Sequence, residues 1–286
     1  MDKLLISTAE LADSLEAGNV ILLDASYHLS GTGRDARAEY EAGHIPGAAF
    51  LDLGTLCDDA SALDNTVPTA QQFEARVRAL GVSNDSRVVL YDDSPLHSAA
   101  RGWFLFTLFG ATDVRILDGG LAKWKAESRP ETGDVPLPTT GDFIAAPNPG
   151  LLRDKSAVLA SLGSDEQVVD ARGAGRFSGT DPEPRPGMAS GHIPGARNLP
   201  IGLLYEADGT MKDAAGIEAE FIGAGVDLHR PVITSCGSGV TAAVLSLGLA
   251  MLGKRDVSLY DGSWSDWGSD PDTPKQSGPA GAASLG

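Results

Sequence analysis

The sequence predicts an α/β protein made of two homologous domains, each a mostly parallel sheet flanked by helices. Two observations carry this prediction. The chain repeats itself at long range, and each half alternates short apolar runs with helical stretches. Gly43-His44-Ile45-Pro46-Gly47-Ala48 recurs letter for letter as Gly191-His192-Ile193-Pro194-Gly195-Ala196. Asp118-Gly119-Gly120 with Trp124 recurs as Asp261-Gly262-Ser263 with Trp267, and Phe73-Glu74-Ala75 as Ile217-Glu218-Ala219. The offset stays between 143 and 148 residues. A repeat of that length fits two domains of roughly 130 residues each.

In the first half, Ser7-Thr8-Ala9-Glu10 reads as a capping box that starts a helix, and Thr69-Ala70-Gln71-Gln72 reads as a second. Strands are expected at Val20–Asp24, Arg87–Asp92 and Val114–Asp118, because each is a short run rich in Val, Ile or Leu. The helical stretch through Phe73 ends at Gly81-Val82. In the second half the strands fall at Gln167–Asp170, Pro231–Ser235 and Val257–Asp261. A helix is expected over Ala242–Leu252, and another runs through Ile217 to Gly225-Val226. Strands this apolar, alternating with helices, imply parallel sheets covered on both faces. Residues 129–150 hold five prolines and little periodicity and read as an extended interdomain linker. The expected organisation is a domain over 1–130, a linker over 131–150 and a domain over 151–286, with a Gly/Ala/Pro/Ser-rich loose tail from about 269.

Composition narrows the function. The chain has 286 residues, 42% of them hydrophobic, and a formal net charge of −17. That charge argues against a nucleic-acid partner or an anionic membrane surface, since both need clustered Lys and Arg. With two cysteines, Cys57 and Cys236, a disulfide framework and a multi-cysteine zinc site are both out of reach. The five histidines show no metal-ligand spacing, so neither a metal nor an organic cofactor is expected. The N-terminal residues do not read as a signal peptide, and no apolar run approaches a membrane span. Cytoplasmic is the expected location, where a free thiol stays reduced.

The residues that carry chemistry lie at Cys236-Gly237-Ser238-Gly239-Val240-Thr241. A cysteine here follows a buried strand and sits on a small-residue loop that runs into a helix. In parallel α/β sheets, sites lie beyond the carboxyl ends of strands. Such a loop aims several backbone N–H groups at one spot, and the helix dipole adds partial positive charge, so an anionic sulfur is favoured. Cys236 is therefore the candidate nucleophile, with a buried structural cysteine as the plain alternative. Sliding the halves by 144 residues sets Asp92 opposite Cys236. A carboxylate cannot replace a thiolate nucleophile, so the first half is expected to be inactive, walling the cleft and stiffening the second domain. His44 and His192 occur identically in both halves and read as structural. Cys57 lies beside Asp58 and Asp59, whose charge disfavours a second anion. Asp24, Asp118, Asp170 and Asp261 stand at strand ends in both halves and read as structural, as do Trp264 and Trp267.

The doubled Gly-His-Ile-Pro-Gly-Ala, the paired Asp-Gly-x-x-x-x-Trp and the single Cys-Gly-Ser-Gly-Val-Thr loop resemble a tandem rhodanese-domain sulfurtransferase, from about residue 5 to 268. The loop resembles the 3-mercaptopyruvate branch. The resemblance implies two rhodanese-like domains, an active C-terminal domain and a persulfide on Cys236. It also implies acceptors such as thioredoxin-like dithiols, small thiols or cyanide. It places Arg176 and Arg185 on the substrate carboxylate and keto group, and the alternative for both is a salt bridge. Arg172 reads as structural, paired with a nearby carboxylate. Gly237, Gly239, Val240 and Thr241 would bind the substrate through the loop, and Thr241 reads equally as a helix cap. Ser238 would hydrogen-bond the substrate or relay a proton to the enolate leaving group. Members of that branch place a His and an Asp in the first domain to activate this serine. Here Asn65 stands at the His position and Gly54 at the Asp position, with Asp52 and Asp58 near. That relay is not carried over, and water or the loop N–H groups would serve the enolate.

Three rival functions stay open on sequence. Thiosulfate could be the donor, although its sulfonate end wants cations close to the cysteine and this loop has none. A Cys-x₅-Arg phosphatase would need an arginine where Ala242 stands. A non-enzymatic sulfane-sulfur carrier would need only the one nucleophile.

Overall fold

The computed structural model describes residues 3–185 and 187–279. The chain divides into two compact units. The first comprises Met1–Ala60, Val67–Asn148 and Glu206–Met211; the second comprises Ser61–Thr66, Pro149–Tyr205 and Lys212–Gly286.

The first unit contains β1 (Leu5–Ile6), α1 (Thr8–Glu16), β2 (Ile21–Asp24), α2 (Ala36–Ala42), β3 (Ala49–Phe50), α3 (Ala70–Ala79), β4 (Val88–Tyr91), α4 (Ala99–Leu108), β5 (Val114–Leu117) and α5 (Gly120–Ala126). Its five strands pair in the order β1-β5-β4-β2-β3, every pairing parallel. The second unit contains β6 (Leu152–Arg153), α6 (Lys155–Ser161), β7 (Gln167–Asp170), α7 (Ala174–Ser178), β8 (Arg197–Asn198), α8 (Ala214–Gly223), β9 (Val232–Ser235), α9 (Ala242–Met251), β10 (Val257–Tyr260) and α10 (Ser263–Trp267). Its order is β6-β10-β9-β7-β8, again all parallel. The two sheets repeat one topology strand for strand, as the sequence repeat requires.

Local chemistry explains the elements. Both expected capping boxes form: Ser7 with Glu10 opens α1, and Thr69 with Gln72 opens α3. The central strands β4 and β9 are buried at every residue, so they read as unbroken apolar runs rather than alternating ones. In α9 every residue from Ala242 to Leu249 is buried, which suits a helix apolar on all sides. The shared histidine motif is architectural in both units. His44 is fully buried, its Nδ1 bonds the Tyr40 carbonyl at 2.7 Å and its ring stacks on Tyr40. His192 does the same with Phe177, at 2.8 Å.

Three expectations change. Residues 131–148 are not a free linker but part of the first unit. Phe143 is fully buried against Phe73, and Gly141 and Ala146 donate backbone hydrogen bonds to Arg78 and Phe109. Residues 269–279 are pinned rather than loose. Trp267 Nε1 donates to the Pro274 carbonyl, Thr273 Oγ1 donates to the Trp267 carbonyl, and Gln276 pairs with His192. The rest of the expected tail, 280–286, lies outside the described residues. Thr241 occupies the N-cap position of α9 without a side-chain cap hydrogen bond, because its backbone is already helical there.

Asp92 follows β4 as Cys236 follows β9, and it carries a testable cost. Its carboxylate accepts from the Ser94 and Ala99 N–H groups. Burial nevertheless pushes its pKa up to about 7. Between about pH 4 and 7 the unfolded chain has released this proton and the native state has not, so Asp92 makes stability fall as pH rises through that window. We expect Asp92→Asn to flatten this dependence, seen by chemical unfolding at pH 5 and pH 7.5. An unchanged slope would contradict it.

Candidate functional site

The second unit builds its site at the carboxyl end of β9, the middle strand of its sheet. Cys236 is the first residue beyond that strand and is almost wholly buried. The loop turns back over it. Gly239 has φ +80°, a left-handed conformation that glycine adopts without steric cost. This turn brings the Gly239 N–H to 3.1 Å from Cys236 Sγ, which accepts it.

The short helix α10 clamps the same loop. The Trp264 and Ser265 N–H groups donate to the carbonyls of Cys236 and Gly237 at 2.9 and 2.8 Å. Ser265 Oγ also donates to the Gly237 carbonyl, at 2.7 Å. Ser263, fully buried, accepts the Cys236 N–H on its Oγ at 3.1 Å and donates to the Tyr260 carbonyl at 2.8 Å. It does so with φ +50°, a strained value for a residue with a side chain. The equivalent residue in the first unit is Gly120, at φ +57°. A serine therefore stands where the repeat uses glycine, and its hydroxyl organises the cysteine. We expect Ser263→Gly to relieve the backbone strain yet lower the rate constant for Cys236 alkylation or sulfur loading at least severalfold, measured by stopped-flow. An unchanged rate constant would make Ser263 merely structural.

Of the three candidate arginines, Arg176 packs on this loop, Arg185 reaches Ser265 of α10, and Arg172 is joined to Arg176 through Glu183. A Cβ built on Gly237 would lie 3.3 Å from Arg176 Nη2, so the guanidinium packs against the loop backbone. Arg176 Nη2 donates to Glu183 Oε2 at 2.6 Å, while its Nε is buried without a hydrogen-bond partner among the described residues. Arg185 Nη1 donates to Ser265 Oγ at 2.8 Å, and its Nη2 donates to Asp64 at 3.0 Å. Arg172 is buried and fully committed. It pairs with Asp170 at 2.8 Å and Glu183 at 2.7 Å, donates to the Gly191 carbonyl, and lies over the Trp264 ring. Glu183 thus joins Arg172 to Arg176.

Ser238 is buried, and its Oγ accepts a hydrogen bond from Asn65 Nδ2 at 3.1 Å. Val240 is buried and Thr241 partly buried on the run into α9. Asp52, Asp58 and Gly54 belong to the first unit, as does Cys57, whose Sγ faces the Gly54 carbonyl at 3.5 Å. Sequence reasoning missed Ser263, Ser265, Glu183 and Asp64. Only Ser263 had a legible signal, its place opposite a glycine in the repeat. Ser265 and Asp64 pair with Arg185 from 80 and 121 positions away, and Glu183 pairs with Arg172 and Arg176, 11 and 7 positions before it. Among the described residues, no group of three or more His, Cys, Asp or Glu could hold a metal ion, and no helix is long and apolar enough to cross a membrane.

A buried sulfur at a strand end, held by a backbone N–H and flanked by arginines, can act as a nucleophile that carries an anionic group. Comparison with known proteins agrees. The rhodanese-like domain family matches residues 7–127 and again 154–270. A 3-mercaptopyruvate sulfurtransferase from Mus musculus is 42% identical over 270 residues, covering 92% of this chain and 91% of that protein. A thiosulfate sulfurtransferase from Bos taurus is 41% identical over 271 residues, with coverage of 92% and 91%. The crystal structure of the 3-mercaptopyruvate sulfotransferase SseA from Escherichia coli superposes with a TM-score of 0.84 at 38% identity, covering 92% of this chain and 99% of that one.

Proposed function

The chain belongs to the rhodanese-like family as a tandem-domain sulfurtransferase, and from that premise we propose that it takes sulfur from 3-mercaptopyruvate through a persulfide on Cys236. The observation that carries this reading is the Gly239 N–H on Cys236 Sγ, with the Arg176 guanidinium packed on the same loop. The Cys236 thiolate attacks the donor sulfur, the carbon–sulfur bond breaks, and its electron pair leaves on the enolate of pyruvate. The thiol proton of the donor goes to that enolate carbon. Cys236–S–S⁻ and pyruvate result, with atoms and charge conserved. The outer sulfur then passes to a thiol or to cyanide, which returns Cys236 as thiolate. A thioredoxin-like dithiol in a reducing cytoplasm suits that second step.

Arg176 and Arg185 are the proposed holders of the donor's carboxylate and keto oxygen. Arg176 Nε is buried and unsatisfied, and an anionic oxygen would remove that penalty. Arg185 would exchange its exposed partner Asp64 for the substrate. Ser238 and the N–H groups of Gly237, Gly239, Val240 and Thr241 would receive the charge that moves onto the enolate and the persulfide. We expect Arg176→Lys to raise KM for 3-mercaptopyruvate about tenfold, because Lys cannot reproduce planar bidentate recognition. Steady-state kinetics checks this, and an unchanged KM would remove Arg176 from the substrate site.

Thiosulfate is the second reading, favoured by the resemblance to the bovine thiosulfate enzyme. The loop has no cation of its own, whereas a sulfonate bound beside the sulfur calls for one. Comparing kcat/KM for the two donors on one preparation decides between them, and a preference for thiosulfate would overturn the donor assignment.

A further inference from the structure

We propose that Asn65 is a positioning residue that fixes Ser238 as a permanent hydrogen-bond donor toward the leaving group, in an arrangement with no ionisable base. The inference rests on the donor reading above. Asn65 belongs to the short segment Ser61–Thr66 that folds with the second unit. It is buried, with φ 60°, a left-handed conformation that Asn tolerates better than most residues. Its neighbour Asp64 pairs with Arg185, so one dipeptide holds two residues of the site.

The direction of the Asn65 contact matters. A hydroxyl has one hydrogen to give and two lone pairs to receive with. Asn65 Nδ2 donates to Ser238 Oγ and so occupies one lone pair. The Ser238 hydrogen cannot point back at that N–H group and is turned to another acceptor. When the carbon–sulfur bond of the donor breaks, negative charge grows on the enolate oxygen, and a hydrogen bond to it strengthens in the transition state. Ser238 stabilises this oxygen without losing its proton, so no base is needed behind it. A base in place of Asn65 would do the reverse, accepting the Ser238 hydrogen and drawing it away.

Asn65→Asp tests the idea, because a carboxylate of the same size can only accept. We expect kcat for pyruvate release from 3-mercaptopyruvate to fall about tenfold, with KM within twofold. Asn65→Gly removes the donor while suiting the left-handed backbone, and it should give the same split if the Asp variant folds poorly. The deciding measurement is the double-mutant cycle with Ser238→Ala. Once Ser238 is alanine, the Asn65 substitutions should cost nothing further. A loss of equal size on both backgrounds would make Asn65 merely structural and overturn the proposal, as would full activity of both Asn65 variants. Failure of the unsubstituted protein to release pyruvate would instead defeat the donor assignment itself.

Discussion

Replacing Cys236 with serine is expected to end sulfur transfer, with kcat falling at least about 10³-fold for any donor. The change is nearly isosteric and leaves the loop in place. The Gly239 N–H that meets Sγ at 3.1 Å would meet a hydroxyl instead. A hydroxyl is almost entirely protonated near neutral pH, and it cannot hold sulfane sulfur as a stable disulfide-like anion. Stability should change little, since the loop is also held by Ser263, Trp264 and Ser265 through backbone groups. The check is steady-state turnover together with thermal unfolding. Residual turnover above about one percent of wild type would move the sulfur to another residue, and Cys57 is the one other cysteine in the chain.

The second large effect is on stability. Arg172→Ala is expected to cost about 3–5 kcal/mol, because it leaves the buried Asp170 carboxylate without its cation and Glu183 with Arg176 alone. Asp170, Arg172 and Glu183 have side chains 4%, 1% and 2% exposed. Arg172 satisfies both carboxylates and the Gly191 carbonyl while its guanidinium lies 4.5 Å from the Trp264 ring centroid. The ring belongs to α10, which clamps the cysteine loop, so the loss reaches the site as well as the core. Tm should drop by roughly 10 °C for a unit of this size. The exposed pair Lys125–Glu131 sets the contrast, and Lys125→Ala should cost under about 1 kcal/mol. Equal effects from the two substitutions would contradict the account of the buried network.

The fold was largely readable because periodicity and repetition report on it directly. Gln167–Asp170 was placed to the residue, and the other five core strands were placed to within one residue at either end. The two-residue strands β1, β3, β6 and β8 were not readable, since two residues carry no period. The linker misled because proline-rich sequence marks an extended chain but does not say whether that chain packs. One aromatic residue, Phe143, decides that, and its partners lie far away in sequence. At the site, the cysteine loop announced itself through its small residues and its place after a strand. Arg172, Arg176 and Arg185 were visible as charges, and a carboxylate near Arg172 was expected, but the pairings with Glu183, Asp64 and Ser265 emerge only in the folded chain. Asn65 was readable as a departure from the family pattern, yet its hydrogen bond to Ser238 spans 173 positions of chain.

The most direct test of the central claim is intact-protein mass spectrometry after a brief exposure to 3-mercaptopyruvate without an acceptor, with pyruvate measured in the same sample. The account predicts a gain of one sulfur atom on Cys236, one pyruvate released per adduct, and neither product with Cys236→Ser. Pyruvate without an adduct on Cys236, or an adduct that survives Cys236→Ser, would contradict it.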